Sequence, residues 1–512
     1  MIALAGPQMK IFLMDKETTS CVSCAYAQSE IMQKEVYLFD RLDSAVPRDS
    51  ISHLKCIAFI RPTQENIDRL IKELRQPKYS QYYIYFSNII SKQDLKTLAE
   101  ADENEVVREV HEYFLDGIPL RRDLYCLNMN KIYDSSMNLK AAAFERIKQS
   151  IVSLMLQLKR KPMIRYQASS LNCRNIAEEV SQVVRRENTL FESAHNEGLL
   201  LIVERSLDAI TPLLNQWTYE AMIHELITLS NNRLTADGQS MVLSELYDDF
   251  FAANITSNFG EIGQNIKTLI NEFQEKSKIH KNLESIADMK KFVEEYPQFQ
   301  KISGTVSKHV TIVGELSKLV SSTNLLEICL GRVKSLLNHP KTTPLNALRL
   351  VMLYALRFEN HQNNDITTLL SFLRGKNANA SQIVRNLLKY GGSGRRSNDL
   401  FGGGSTIELT KRFIKGLKGV ENIYTQHEPY LKTVIESLLR GRMNEQFPTV
   451  SSETCRTDHI VVFVIGGATF EESAYIRNVN AKRAQGLGGP SILLASTFMH
   501  NTQSFLDELL TL

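Results

Sequence analysis

The sequence predicts an α/β plus α protein: two parallel-sheet α/β domains, the second discontinuous, with a large helical domain inserted into it. Apolar strands alternate with helical segments as far as Val203, the same alternation returns only from His459 onward, and the stretch between lacks it. Length agrees, because 512 residues at about 150 per domain make three or four compact units.

Taken in order, "MKIFLMD" (Met9–Asp15) reads as an apolar strand and "SEIMQKEV" as a short helix. "VYLF" (Val36–Phe39) and "CIAFI" (Cys56–Ile60) are strands, Thr63–Arg75 is a helix, and "YYIYFS" (Tyr82–Ser87) is a strand. Continuous apolar strands separated by helices make a mostly parallel sheet covered on both faces. This is domain one, residues 1–125. A second alternation starts near Cys126, with a helix over Leu139–Leu158, the strand "PMIRYQ", a helix over Asn172–Arg186 and the strand Leu199–Val203. It stays unfinished until "HIVVFVIGGATFEES" (His459–Ser473), "GGPSILLAS" and the closing helix Thr502–Leu510. Residues 126–216 and 441–512 are therefore the two segments of domain two, and 217–440 form the helical domain. In that block Ala347–Phe358 puts Leu348, Met352 and Leu356 on one face of a helix. The glycine-rich stretches Tyr390–Ser397 and Phe401–Thr406 read as surface loop.

Composition excludes several classes. A formal charge of +3 with lysine and arginine interleaved among acids offers no basic stripe for nucleic acid. No run of about 18 apolar residues exists, and the first residues lack a secretory signal's basic and apolar regions. The expectation is a cytoplasmic protein that meets membranes only through partners. Seven scattered cysteines in a chain of this length are not a disulfide framework. Cys21 and Cys24 form one C-x-x-C with no second ligand pair, so they read as small residues following the first strand. No metal or cofactor is expected.

Catalytic signatures fail in turn. There is no P-loop, no H-E-x-x-H and no G-x-S-x-G, and "HEL" at His224 lacks a second histidine. Gly466 and Gly467 lie between a strand and a helix, but Glu471 and Glu472 open that helix, putting negative charge where a phosphate would sit. In "LLIVERSLDAITPLLNQWTYEAMIHEL" (Leu200–Leu226), Glu204 and Asp208 read either as an acid-base pair at a strand end or as parts of a joint. In the joint reading Arg205 pairs with nearby acids, Asp208 and Thr211 shape the turn, and Pro212 ends the strand. Trp217 and Tyr219 then pack where the helical domain docks.

The most informative segment is Glu294–Val320. Pro297 should kink or break the helix it enters. Beyond it, Val306, Val310, Val313 and Val320 form one stripe, and His309, Ile312, Leu316 and Leu319 the adjoining one. At about 100° per residue they cover roughly half the circumference, more than one packing face requires. Burial between two neighbours accounts for such an arc. So does a helical hairpin that offers apolar surface to a partner's helix.

The strings "LMDKETTS", "SEIMQKEVYLFDRLDS", "YIYFSNIISK", "PLLNQWTYEAMIHEL", "YPQFQKISGTVSKHVTIVGEL", "KGLKGVENIYTQH" and "FVIGGATFEE" closely resemble the Sec/Munc (SM) family of syntaxin-binding proteins, collinearly over nearly the whole chain. The closest branch serves traffic among endosomes, the trans-Golgi network and the vacuole or lysosome. The resemblance implies a three-domain arch without enzymatic activity that binds a syntaxin-family SNARE and promotes assembly of the SNARE bundle for docking and fusion. It also implies a peripheral place on Golgi, trans-Golgi and endosome membranes, and a Rab effector of the rabenosyn type as a further partner. By motif position it assigns a syntaxin N-peptide pocket to Ile90, Leu95, Val107, Val110 and Glu112. The four apolar side chains suit a leucine or phenylalanine anchor, and Glu112 suits an arginine. It assigns the SNARE cavity and hairpin to Asp40, Pro297 as a hinge, and Val310. Relative to the family, this chain lacks an amphipathic helix before the first strand and has Glu204 where aspartate is usual. It is short near Asn232–Ser244 and Glu327–Lys334. The alternatives are an α/β enzyme using the sheet edge near Gly466, and a tethering subunit that binds a Rab effector without SNAREs.

Overall fold

The computed structural model describes residues 1–192, 196–281, 286–323, 333, 337–339, 342–362, 364–396, 427–443, 445–450 and 457–512. The glycine-rich stretch Phe401–Thr406 and, apart from Val333, the short region Glu327–Lys334 lie outside them.

Strands β1 (Lys10–Met14), β2 (Val36–Arg41), β3 (Lys55–Ile60), β4 (Gln81–Phe86) and β5 (Val107–Glu112) form a five-stranded sheet in the order β2-β1-β3-β4-β5. All its pairings are parallel. Helices α1 (Lys16–Ala25), α2 (Gln28–Met32), α3 (Gln64–Arg75) and α4 (Lys92–Ala101) connect the strands. Side chains of β1 alternate between two cores, Ile11 and Leu13 in one, Phe12 and Met14 in the other, as a sheet covered on both faces requires. The outer strands differ. Both β2 and β5 are edge strands, and most of β5 is exposed.

The second sheet joins distant parts of the chain. Strands β6 (Ile118–Arg121) and β7 (Leu124–Cys126) make a hairpin, followed by α5 (Ala141–Gln157), β8 (Arg160–Tyr166), α6 (Leu171–Arg186) and β9 (Asn196–Glu204). Next come α7 (Tyr219–Leu226), the pair β10 (Arg233–Ala236) and β11 (Gln239–Val242), α8 (Asp249–Asn254), α9 (Phe259–Lys281) and α10 (Ile286–Thr323). After them stand α11 (Pro344–Phe358), α12 (Ile366–Leu373), α13 (Ala380–Gly391) and α14 (Tyr430–Leu439). The chain then re-enters the sheet through β12 (His459–Ile465), α15 (Phe470–Lys482), β13 (Ser491–Ser496) and α16 (Thr502–Leu510). The six-stranded order is β6-β7-β13-β12-β9-β8. Continuous apolar runs in β9, β12 and β13 sit at its centre, buried on both faces.

Three expectations need correction. Residues 118–125, read as the end of domain one, pair with the second sheet through β7 and β13. Strands of 4 and 3 residues are too short to carry a period. The helical block contains the β10–β11 hairpin, closed by Asp237 and Gly238 with φ of 49° and 72°, the left-handed pair a two-residue hairpin turn requires. Finally, α10 runs helical through Pro297 for 38 residues. Proline removes one donor and crowds one carbonyl. The stacking of Phe273 on Phe299 at 5.3 Å holds α10 against α9 just past the proline.

Candidate binding surfaces

At the carboxyl edge of the second sheet, where an open α/β sheet binds its ligand, the ends of β9 and β12 are filled by protein, and a cavity of about 240 Å³ lies beside the ends of β7 and β13, lined by Cys126, His224, Phe470 and Met499. Arg205, just past β9, donates to both oxygens of Glu472 at 2.8 and 2.7 Å and to the Asp208 carbonyl at 2.8 Å. Asp208 accepts the backbone N–H groups of Ile210, Thr211 and Tyr430, each at 3.0 Å. Burial pushes its carboxyl up, but Arg205 and His427 outweigh that and hold it below the usual carboxylate range. Glu204 is equally committed, accepting from Asn172 at 2.8 Å and from Ser206 at 2.9 Å. Thr469 and Glu472 cap α15 reciprocally. These groups form a buried joint.

The glycine turn offers no room either. A Cβ on Gly466 would stand 2.5 Å from the hydroxyls of Tyr133 and Tyr390, and one on Gly467 2.2 Å from the His500 ring. His500 bonds the Gly466 carbonyl at 3.0 Å, and burial lowers its pKa to about 3. His224 lies between Met499 O and the Leu229 N–H at 3.1 Å each, lowered by burial to about 4. Both rings are neutral packing elements. Cys21 and Cys24 lie buried in α1, and burial raises both thiols.

Helix α10 has two different sides. His309, Ile312 and Leu316 are buried, the latter two in one core with α7 and α9. His309 is bonded to the Tyr219 hydroxyl at 2.8 Å and to the Asp248 carboxylate at 3.0 and 3.1 Å. Asp248 also takes the Lys308 ammonium and caps α8 at the Phe251 N–H, 2.9 Å away. The valine stripe is less buried: Val310 is 41% exposed, Val306 is half-buried, and Val313 and Val320 are half-buried and pack against that same core. One stripe anchors the helix, and the other leaves Val310 open. Sequence reasoning missed Asp248, although an aspartate before "DFF" carries the N-cap signal.

At one corner of the first sheet, β5 and the start of α4 meet. Glu112 accepts the Ile90 N–H at 2.9 Å, so this carboxylate shapes the loop as well as presenting charge. Val110 pairs with Ile84 and Glu112 with Phe86 in the parallel register, on the face where Ile84 and Phe86 enter the core. Ile90 is buried in that core and Val107 packs on it, whereas Leu95 and Val110 are 41% and 38% exposed. The five residues thus divide into a floor and an open rim. Ile89, which motif position did not assign, extends the exposed apolar surface here, whereas the exposed Tyr113 lies over the other face, 6.1 Å from the Phe59 ring and 6.4 Å from that of Tyr85. Asp40 lies at the opposite edge, near the end of β2, half-buried and 3.4 Å from the Tyr79 hydroxyl.

A family model described as the Sec1 family matches residues 10–508. This chain belongs to the Sec1 family. Human vacuolar protein sorting-associated protein 45 is 49% identical across 100% of this chain and 94% of its own length. The Saccharomyces cerevisiae protein of the same name is 31% identical across 97% and 94%. The solved SM protein Vps45 in complex with the Qa SNARE Tlg2 superposes with a TM-score of 0.89 at 40% identity, covering 98% of this chain and 94% of that one. An Unc18–syntaxin 1 complex from Monosiga brevicollis shares the fold, with a TM-score of 0.80 at 17% identity over 99% of this chain and 96% of that one. Sec1-family proteins are non-enzymatic regulators of SNAREs, and this one is no enzyme. Among the described residues no helix is long and apolar enough to cross a membrane.

Proposed function

We propose that this Sec1-family protein binds a syntaxin-type Qa SNARE of the trans-Golgi and endosomal class and promotes SNARE assembly for vesicle docking and fusion. The observation that carries the reading is full-length likeness to a Vps45 solved with Tlg2, at 40% identity and a TM-score of 0.89. Two uncovered apolar surfaces support it. The Leu95–Val110 rim, floored by Ile90 and Val107, receives the first residues of the SNARE, with Glu112 facing its basic charge. The valine stripe of α10, with Asp40 on the facing wall, receives its helices in the helix-in-groove mode.

The domains follow as an arch: a first domain to about the Asp116–Gly117 turn, a second spanning both segments of the six-stranded sheet, and a helical third between them. Pro297 lies where a helix can straighten or bend at low cost, which makes it the hinge that sets the reach of α10. The site of action is the cytoplasmic face of Golgi, trans-Golgi and endosomal membranes, reached through the SNARE and a rabenosyn-type Rab effector. A pull-down with Qa SNARE cytoplasmic regions, with and without their first few residues, tests this reading. Retention that drops but persists without the N-peptide supports it. A chain that retains neither form is not a SNARE regulator of this kind.

A further inference from the structure

The two walls assigned to the SNARE helices are joined by one short turn, Ser244–Asp249, between β11 and α8. The turn is tied internally, since the Tyr247 and Asp248 N–H groups both donate to the Ser244 carbonyl at 3.3 and 3.0 Å. Its two central side chains reach in opposite directions. The Tyr247 hydroxyl accepts the Ala27 N–H at 2.9 Å and donates to the Glu30 carboxylate, which itself accepts the Ala27 N–H at 3.1 Å. Tyr247 thereby grips the start of α2, which packs on β2, the strand of Asp40. Asp248, the next residue, holds His309 and Lys308 of α10 beside the exposed Val310.

Apolar packing closes part of the seam around this turn, with Cys21 and Cys24 of α1 in the core that also holds Leu229, Leu234 and Ile312. A thiol contact from Cys24 to the Asn231 carbonyl at 3.6 Å and an Asn231–Ser20 bond at 3.4 Å cross it. Between α1 and the β10–β11 hairpin the seam opens into a groove of about 660 Å³. Against these long contacts, a phenol bonded to a carboxylate is the stronger crossing, because charge-assisted hydrogen bonds are about twice as strong as neutral ones.

We propose that Ser244–Asp249 is a strut that spaces the two walls of the partner site, and that Tyr247 is the positioning residue fixing its grip on the first wall. Its consequence for binding rests on the SNARE reading above; its mechanics do not. Motion of α2 passes through one peptide unit to the carboxylate that fixes α10, so the walls keep a set distance and Val310 a set presentation.

The test uses the full chain and a Tlg2-type Qa SNARE cytoplasmic region lacking its N-peptide. Tyr247→Phe keeps the ring and removes both hydrogen bonds, and lowers affinity for this helical core about three- to tenfold with the N-peptide affinity unchanged. Glu30→Ala reproduces the loss, Tyr247→Phe with Glu30→Ala is no worse than either alone, and Glu30→Gln, which still accepts the phenol proton but without the charge, falls between the parent and Glu30→Ala. In the free protein, hydrogen exchange accelerates in Tyr247→Phe both in α2 and in residues 305–312 of α10. Exchange that changes in α2 alone overturns the strut, as does unchanged core affinity, or core and N-peptide affinity falling together. If the parent chain binds no core, the SNARE reading fails, and the exchange result alone decides the strut.

Discussion

At the carboxyl edge of the second sheet, Arg205, Asp208 and Glu472 are buried against one another and His500 is packed onto a glycine turn. Along α10 the arrangement is reversed: His309 is buried as a tether, while Val310 faces outward. The first region has residue types that catalysis uses, yet they are bonded to one another. The second presents an exposed aliphatic side chain, Val310, on a helix held in place by a buried carboxylate. Polar residues build the frame in both regions, and the apolar surface exposed on α10 is the one proposed to bind.

The sharpest way to break the comparison is at the joint. Arg205→Ala leaves Glu472 and Asp208 buried without their cation and should cost about 3–5 kcal/mol, read by urea denaturation. A loss under about 1 kcal/mol would mean the site is open to water, as a binding cleft would be.

Next in size is the tether of α10. Asp248→Asn should cost about 1–3 kcal/mol by weakening the bonds to His309 and Lys308. Burial raises the Asp248 carboxyl, but His309 and Lys308 more than offset it, so its folded pKa lies below the ordinary value. The contribution of a depressed carboxylate is therefore complete above the unfolded pKa of about 3.9 and fades as pH falls toward the folded one. The difference in denaturation midpoint between parent and Asp248→Asn should stay constant from pH 6 to about 4 and begin to narrow by pH 3. A gap that stays constant down to pH 3 would contradict the ion-pair tether.

Surface changes come last and should separate binding from folding. Leu95→Arg at the β5 rim should weaken binding of a syntaxin N-peptide by tenfold or more, about 1.4 kcal/mol, with stability within about 0.5 kcal/mol of the parent. Val310→Asp should reduce affinity for the helical core severalfold, again with little effect on folding. If either substitution unfolds the protein, its side chain belongs to the frame.

Much of the fold was legible because period and composition carried it. Long apolar strands such as Cys56–Ile60 and His459–Ile465 appear where expected, and the interruption of one sheet by a helical block followed from strands that had no partners nearby. The β6–β7 hairpin was invisible because its strands are so short, and β5 because "VREVHE" is a half-polar edge strand. The β10–β11 hairpin was missed despite its Asp237-Gly238 turn, a signal outweighed by the helical pattern around it. At the binding surfaces, chemistry identified the width of the α10 arc. Which stripe would be buried depended on Asp248 and Tyr219, residues distant in sequence. Tyr247 carried no signal, since a tyrosine in a turn gives no indication of what it will reach.

Calorimetric titration of a Qa SNARE cytoplasmic region into the parent chain, Leu95→Arg, Val310→Asp and the double variant tests the two-surface account most directly. The account predicts that each single substitution weakens binding and leaves a measurable remainder, with the two losses adding and the double variant showing little heat. A single substitution that abolishes all binding, or a double variant that binds like the parent, would contradict it.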